Sequence, residues 1–365
     1  MNNNWELLNE LCAVHAVSGR EDLMIRFIYN YIKTLVDEIE VDRIGNVIGV
    51  IKGKSEPDCR LMLQAHIDEL GLIVRNITDN GFLLLERVGG MPEKSLLGQW
   101  MDVLTEEEKI FGGFIGTKSH HITTREEKYK VPNIHEMYID IGLSTREAVN
   151  KAGIQVGDPV TYHPNFREFG EGLICSKALD NRVSVYVLLK VLEFFKNNRP
   201  NCSLAFAFTV LEEFSIRGST PAVVHIDPHA IISLDITIAV DDPYSPHDLQ
   251  PVVLGGGPAI KMMDFHGRGT LAGHISSPPL KRYIERVAKE RKIPLQREVI
   301  VGVITEPAFQ IYLGEHGYTV AAISIPSRYS HSAVQVVNKS DVEQTIKWVI
   351  GISEKFNKDV DLQRG

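Results

Sequence analysis

Two carboxylates stand side by side where an apolar run of the chain ends. The segment AFAFTVL is followed directly by Glu212 and Glu213. Adjacent acids repel one another, so a buried pair needs a cation or a proton close by. If one of them binds a metal ion, its neighbour can take a proton from water that the ion has made acidic and pass it to a leaving group. The pair therefore indicates metal-assisted hydrolysis, although a solvated strand end also explains it when it is taken alone.

Other apolar runs lead to the same kind of side chain. LMLQA ends in His66 and Asp68, AIISL ends in Asp235, and VAAISIP leads through a short loop to His331. Ligands of open α/β sheets gather beyond the carboxyl ends of the strands, so we expect these side chains to share one rim. Asp180 begins an apolar helical segment, where the helix dipole favours a carboxylate, and it can point to the same rim.

Each of these residues has an ordinary structural explanation when it is considered by itself. A single histidine after a strand can be a hydrogen-bonded structural residue, Asp180 can cap a helix, and Asp235 can begin a turn. Together, two imidazoles and three carboxylates form an N/O ligand set that suits zinc, cobalt or manganese. With one carboxylate bridging, they supply three bonds to each of two ions. The predicted ligands are His66, Asp180, Asp235, His331 and one glutamate of the pair.

Helical and strand patterns alternate along the parts of the chain that must position these residues. The chain opens with apolar residues at helical spacing, and SGRE (18–21) predicts a capping box before a second helix. From about residue 164 to the end, strands and helices alternate as in a mostly parallel central sheet with helices on both faces. Between residues 71 and 163, short β-like stretches with glycines replace this alternation. We therefore predict an α/β fold, with a catalytic domain of residues 1–70 and 164–365 and an inserted β-rich domain of residues 71–163.

Composition and charge narrow the classes of partner. The 365 residues are 44% hydrophobic and 24% charged, which is close to the average of globular proteins. The net charge of -8, without a basic run, argues against nucleic acid or an anionic membrane as the main partner. The four cysteines form no CxxC pair, and we recognise neither a secretion signal nor a long apolar stretch. We expect a soluble, unsecreted protein of the cytoplasm.

Several segments occur in the order and spacing of a known family. AHIDELGLIV, KALDNRVSVYVLL, LEEFSIRGS, SLDIT and RYSHS resemble the cytosolic glutamyl-aminopeptidase and tetrahedral-aminopeptidase family of dinuclear metallopeptidases. The resemblance implies a zinc-peptidase-like catalytic domain that is interrupted by a small β-barrel-like (PDZ-like) dimerisation domain. It also implies two divalent ions per subunit, zinc or cobalt with manganese as an alternative. The implied reaction is release of the N-terminal residue from peptides with a free N-terminus.

The same resemblance implies a role for each candidate residue. It divides the ligands between two metal sites: His66 with Asp235, Glu213 with His331, and Asp180 as the bridge. Glu212 would be the general base, and Asp68 would orient the His66 imidazole without binding metal. Members of the family commonly form dimers that assemble into hollow tetrahedral dodecamers, so the resemblance also implies a homo-oligomer.

The chain departs from the family pattern after Thr305, where Glu306 and Pro307 follow. Glu306 could reach the substrate pocket and change the preferred N-terminal residue, or it could be an ordinary surface residue. The pattern of the sequence leaves both interpretations open.

Two other functions stay open beside the aminopeptidase. A glycoside hydrolase of the endoglucanase type would use Glu212 and Glu213 as its two acids, but such acids flank a sugar bond at ~5 to 9.5 Å, which adjacent residues do poorly. A non-catalytic assembly protein with the same fold would be expected to lack a metal ligand or the general base. This chain retains all five predicted ligands and the base.

Overall fold

The structure is a computed structural model that describes residues 5–267, 269 and 271–364. Its helices are α1 (Trp5–Ala13), α2 (Asp22–Ile32), α3 (Arg146–Ala152), α4 (Leu179–Asn197), α5 (Glu212–Ser215), α6 (Thr220–Ile226), α7 (Pro278–Arg291), α8 (Pro307–Gln310) and α9 (Lys339–Lys355). The strands of the first half are β1 (Glu38–Val41), β2 (Val47–Ile51), β3 (Glu56–His66), β4 (Gly71–Ile77), β5 (Leu83–Val88), β6 (Trp100–Leu104), β7 (Ile110–Ile115), β8 (Tyr138–Asp140) and β9 (Pro159–Tyr162). The later strands are β10 (Arg167–Phe169), β11 (Leu173–Ser176), β12 (Cys202–Thr209), β13 (Ala230–Ile238), β14 (Ala259–Phe265), β15 (Gly273–Ile275), β16 (Gln296–Val301), β17 (Val320–Arg328) and β18 (Gln335–Asn338).

The large sheet is parallel at its centre and antiparallel at its sides. Its order is β1-β2-β12-β3-β13-β17-β18-β11-β10, with β14 to β16 attached beside β17. The four central strands, β12, β3, β13 and β17, pair in parallel, as predicted for a sheet whose strands alternate with helices. The pairs that flank them in this order are antiparallel. β1 and β2 are joined by residues 42–46, which are too few for the crossover that a parallel pair needs. Among the attached strands, β14 and β16 pair in parallel. The predicted α/β class is confirmed, as a mixed sheet.

Helices cover both faces of this sheet because its central strands are apolar on both sides. Along β3, Leu61 and Leu63 pack in the core that includes helices α1, α2, α4, α7 and α9, whereas Met62 packs with α6 on the other face. Every residue of β12 is buried, as expected for a strand between two helical layers. Within the described ranges, no helix combines the length and apolar character needed to cross a membrane.

A closed antiparallel barrel lies between β3 and β10. Its strand order is β4-β5-β8-β7-β6-β9, so each strand has two neighbours and no edge is left unpaired. A hydrophobic cluster of its own fills it, including Leu72, Leu85, Met101 and Ile139. Leu72 of β4 pairs with Val160 of β9, so the chain enters and leaves the barrel at neighbouring positions.

The predicted capping box at the start of α2 is wrong. Glu21 is the N-cap residue and makes no side-chain capping bond. The hydroxyl of Ser18 donates instead to Asp68, and the Glu21 carboxylate accepts from the backbone N–H groups of Gly19 and Leu211. Two of these partners, Asp68 and Leu211, are distant in sequence, and a four-residue pattern cannot reveal them.

Candidate metal centre

The predicted side chains meet at the carboxyl ends of the parallel strands. His66 is the last residue of β3, and Glu212 and Glu213 begin the short helix α5, shortly after β12 ends. Asp235 lies inside β13, which continues to Ile238, and His331 follows β17. Together with Asp180 at the start of α4, all of them line one cavity of about 490 Å³.

Asp180 lies between the two imidazoles. Its Oδ1 is 3.3 Å from Nε2 of His66, and its Oδ2 is 3.4 Å from Nε2 of His331. The backbone of Asp180 is not helical although it lies in the first turn of α4, and its N–H donates to the side-chain oxygen of Gln335 at 2.7 Å. Because the carboxylate has one oxygen toward each histidine, it can contact cations on both sides.

Glu213 and Asp235 each lie close to one of the two imidazoles. Glu213 Oε2 is 3.9 Å from Nε2 of His331, and Asp235 Oδ1 is 3.9 Å from Nε2 of His66. One ligand atom from each of His66, Asp180 and Glu213 lies within 4.8 Å of the other two. Glu212, the other acid of the adjacent pair, also faces the cluster, because its Oε2 is 3.9 Å from Nε2 of His66.

These residues fit divalent ions by the chemistry of their donor atoms. Imidazole nitrogens and carboxylate oxygens are ligands of zinc and of related transition ions. Glu213 Oε1 is buried and accepts no hydrogen bond from the described residues, and a buried acceptor of this kind calls for a cation or a donor. The cluster therefore has both the atom types and an unused ligand position.

Burial and mutual repulsion strongly perturb the acids of the cluster. Burial, with the neighbouring Asp180 charge, raises the pKa of Glu213 to about 8 and that of Asp235 to about 7. Burial also raises the pKa of Glu212 well above its usual range. Burial acts in the same direction on Asp180, but hydrogen bonds to His331 and His66 outweigh it and keep its pKa below the ordinary value. Such a cluster is costly without positive charge at its centre.

In each imidazole, Nδ1 contacts a backbone carbonyl oxygen, and this contact fixes the orientation of the ring. Nδ1 of His331 donates to the carbonyl oxygen of Gly90 at 3.1 Å, which leaves Nε2 facing the carboxylates. A Cβ at residue 90 would lie 3.1 Å from that Nδ1, so glycine permits the close approach. Nδ1 of His66 lies 3.3 Å from the carbonyl oxygen of Asp68 and 3.4 Å from its carboxylate. This arrangement, in which the nitrogen away from the site is fixed, is typical of metal-binding histidines.

Asp68 does not line the cavity but connects its parts. Its carboxylate accepts from the backbone N–H groups of Glu212 at 3.1 Å and Glu213 at 3.0 Å, and from the Ser18 hydroxyl. It therefore fixes the end of β3 and the start of α5 relative to each other. The role predicted for Asp68, orientation of His66 without metal binding, is compatible with this position.

Sequence reasoning missed the residues that hold this site from outside. Ser18, Gly90 and Gln335 contact Asp68, His331 and Asp180, respectively. They come from three distant parts of the chain, and a lone serine, glycine or glutamine carries no signal of such a role. Only the packing of the strands and the barrel brings them to the cluster.

Glu306 has neither of the two positions expected from the sequence. It is 2% exposed, so the surface interpretation is wrong, and it is absent from the described lining of the cavity. Its carboxylate accepts from Nε2 of Gln64 at 3.3 Å and from the hydroxyl of Thr209 at 3.1 Å, near the ends of β3 and β12. Burial raises the pKa of Glu306 to about 7.

The chain is similar to known proteins over most of its length. The model of the M42 glutamyl aminopeptidase family matches residues 45–348. The SgcX protein of Escherichia coli (strain K12) is 37% identical over 349 residues, which are 95% of this chain and 92% of that protein. The solved structure of aminopeptidase APDkam598 from the archaeon Desulfurococcus kamchatkensis has a TM-score of 0.89 and 36% identity, covering 96% of this chain and 94% of that chain.

A further solved structure is also similar to this chain. The TET1 peptidase of Pyrococcus horikoshii, which can assemble into a tetrahedron or a large octahedral shell, has a TM-score of 0.84 and 27% identity. The match covers 96% of this chain and 99% of that chain. Because the family model spans well over half of the sequence and a relative above 30% identity is covered nearly end to end, the chain belongs to the M42 glutamyl aminopeptidase family and is a peptidase.

Proposed function

We propose that the chain is a two-metal aminopeptidase that releases the N-terminal residue of peptides. The observation that carries the proposal is the position of Asp180, whose two oxygens face different imidazoles at 3.3 and 3.4 Å. Asp180 would bridge two sites, with His66 and Asp235 on one side and Glu213 and His331 on the other. Ions held there would supply Lewis-acid polarisation of the scissile carbonyl and would make water acidic near neutral pH.

Glu212 is the proposed general base. Its side chain lines the cavity, and its backbone N–H is fixed by Asp68 at 3.1 Å. Its carboxylate would accept a proton from the attacking water and return it to the amine that leaves. Glu213, the next residue, would bind metal, so the two adjacent acids would have different functions.

The proposed ions are zinc or cobalt, with manganese as the alternative, because imidazole and carboxylate donors suit all three. The substrate class is peptides with a free N-terminus. The scattered cysteines favour a reducing compartment, and we propose the cytoplasm.

We further propose that residues 71–163 form a dimerisation domain and that dimers build a larger homo-oligomer. The proposal rests on the closed barrel, which has a core of its own, and on the shells formed by the TET1 peptidase of similar fold. Exposed Trp100 and Phe114 form an edge-to-face pair on neighbouring barrel strands, and aromatic residues are enriched in protein interfaces.

The catalytic proposal is tested by exchanging each acid of the pair separately. Glu212→Gln should keep its metal content while kcat on an aminoacyl p-nitroanilide falls by about 10² to 10⁴. The matched variant Glu213→Gln should lose bound metal as well as activity. Chelation should abolish wild-type activity, and polysaccharides should not be hydrolysed. Normal turnover by Glu212→Gln, or turnover that chelators do not affect, would refute the assignment.

A further inference from the structure

We propose that the cavity selects peptides whose N-terminal residue carries a neutral aliphatic side chain, such as leucine or isoleucine. This inference rests on the proposed function, because it assigns the substrate class of the same site. It concerns the wall of the cavity that continues beyond the acid and imidazole cluster.

That wall is formed by branched aliphatic side chains from three separate segments. Ile216 follows helix α5, Ile236 and Ile238 lie at the end of strand β13, and Val303 and Ile304 follow strand β16. Ile236 is nearly buried, whereas the other four are partly exposed and so present surface to a bound side chain. A leucine or isoleucine side chain that contacts this wall would leave water without losing a hydrogen bond.

In the part of this wall that the structure describes, branched aliphatic side chains predominate over charged ones. Among the described residues that line the cavity, those outside the cluster include no lysine, no arginine and no further carboxylate. The polar side chains of the wall are Thr237, His266, Thr305 and Ser330. A glutamate or lysine side chain placed against the aliphatic part of this wall would lose hydration without gaining an ion pair.

Three basic residues that are close to the cavity in sequence or in space have other partners. The Arg217 guanidinium lies over the ring of Phe309, 4.3 Å from its centroid. The Lys261 ammonium is buried and donates to Glu298 at 2.6 Å, and Arg328 forms a two-pronged ion pair with Asp241. None of the three lines the cavity. None of these three residues is therefore placed to pair with a glutamate side chain at the wall.

The expected selectivity follows from the size of the apolar contact. One methylene group in a hydrophobic pocket changes kcat/KM by about 10- to 200-fold. Leucine has three more side-chain carbons than alanine, and charged side chains carry a desolvation cost in addition. We expect the leucine substrate to exceed the alanine, lysine and glutamate substrates by at least about tenfold in kcat/KM.

The test uses the full chain loaded with cobalt and the p-nitroanilides of leucine, alanine, lysine and glutamate. A second readout, independent of turnover, is the increase in Tm caused by each free amino acid, which should be largest for leucine. A lysine or glutamate substrate that equals or exceeds leucine would overturn this inference while leaving the aminopeptidase function intact. Failure to hydrolyse any of the four would overturn the proposed function and this inference with it.

A charge exchange in the wall sharpens the test. Val303→Asp should raise kcat/KM for the lysine substrate relative to leucine by at least about tenfold, since it adds the missing counter-ion. Ile238→Asp tests the same point from β13 if the first variant fails to fold. The matched control is Val224→Asp on α6, where the side chain is 54% exposed and lies outside the cavity, and it should leave the ranking unchanged. An unchanged ranking in both wall variants would contradict the proposal.

Discussion

Replacing Asp68 by asparagine tests how the metal centre is held together. The Asp68 side chain is fully buried, and each of its oxygens faces a donor: Oδ1 accepts from the Glu212 N–H, and Oδ2 accepts from the Glu213 N–H and the Ser18 hydroxyl. An asparagine has one oxygen and one NH₂ group. Whichever way the amide is turned, its NH₂ faces one of these backbone N–H groups, so at least one hydrogen bond is lost.

Two effects of this change can be estimated. Loss of a residue that orients a metal-binding histidine typically lowers metal affinity by about 10- to 100-fold, or about 1.4 to 2.8 kcal/mol. Loss of one hydrogen bond to a buried charged acceptor lowers the free energy of unfolding by about 1.5 to 3 kcal/mol. The assays are competition for zinc against a fluorescent chelator and denaturant unfolding of the metal-free chain.

The matched control is Asp79→Asn, because the Asp79 side chain is 93% exposed and forms an ion pair with Arg146 at 3.1 Å. This variant should bind zinc and unfold as the wild type does. If Asp68→Asn matched the control in both assays, neither the His66 imidazole nor helix α5 would depend on the Asp68 charge, contrary to the role assigned to it.

Three further predictions concern other parts of the molecule. Glu306→Gln should leave the ranking of aminoacyl anilides by kcat/KM unchanged, because the Glu306 side chain is 2% exposed and contacts Gln64 and Thr209 rather than the cavity. A different ranking in steady-state kinetics would contradict this prediction. Replacing residues 72–161 by a short glycine-serine linker should leave a folded catalytic unit, since the barrel has a separate core. This unit should sediment as a smaller species in analytical ultracentrifugation. An intact large assembly would contradict the dimerisation role. Burial and Lys261 lower the pKa of His274 from 6.5 to about 4, so the unfolded chain takes up a proton that the folded chain does not, and stability falls as the pH drops from about 6.5 to 4. In urea unfolding between these pH values, the free energy of unfolding of His274→Phe should fall by about 3 kcal/mol less than that of the wild type. Equal decreases in the two proteins would show that His274 does not titrate as stated.

The strand ends were the most informative part of the sequence. Apolar runs that stop at His66 or before Glu212 can be recognised because a buried parallel strand is apolar on both faces and its polar residues begin where the sheet ends. The change of pattern after residue 70 marked a region that folds as a closed barrel, because its short alternating strands differ from the long apolar runs around it.

The sequence could not show which residues support the cluster. Ser18 formed a convincing capping pattern with Glu21, but its hydroxyl donates to Asp68, a partner 50 residues away. Gly90 and Gln335 contact the site only because the barrel and β18 pack beside it. Local patterns record local preferences, whereas these contacts depend on tertiary structure, which outweighs a capping preference of about 1 kcal/mol.

The metal content of the wild type and of Asp180→Ala tests the two-metal proposal most directly. Each protein would be saturated with zinc, freed of excess ion by gel filtration and measured by elemental analysis, with circular dichroism to verify folding. The two-metal proposal requires two ions per subunit in the wild type and fewer in Asp180→Ala, because Asp180 has one oxygen toward each histidine. A wild type that retains fewer than two ions, or a folded Asp180→Ala that still retains two, would contradict it.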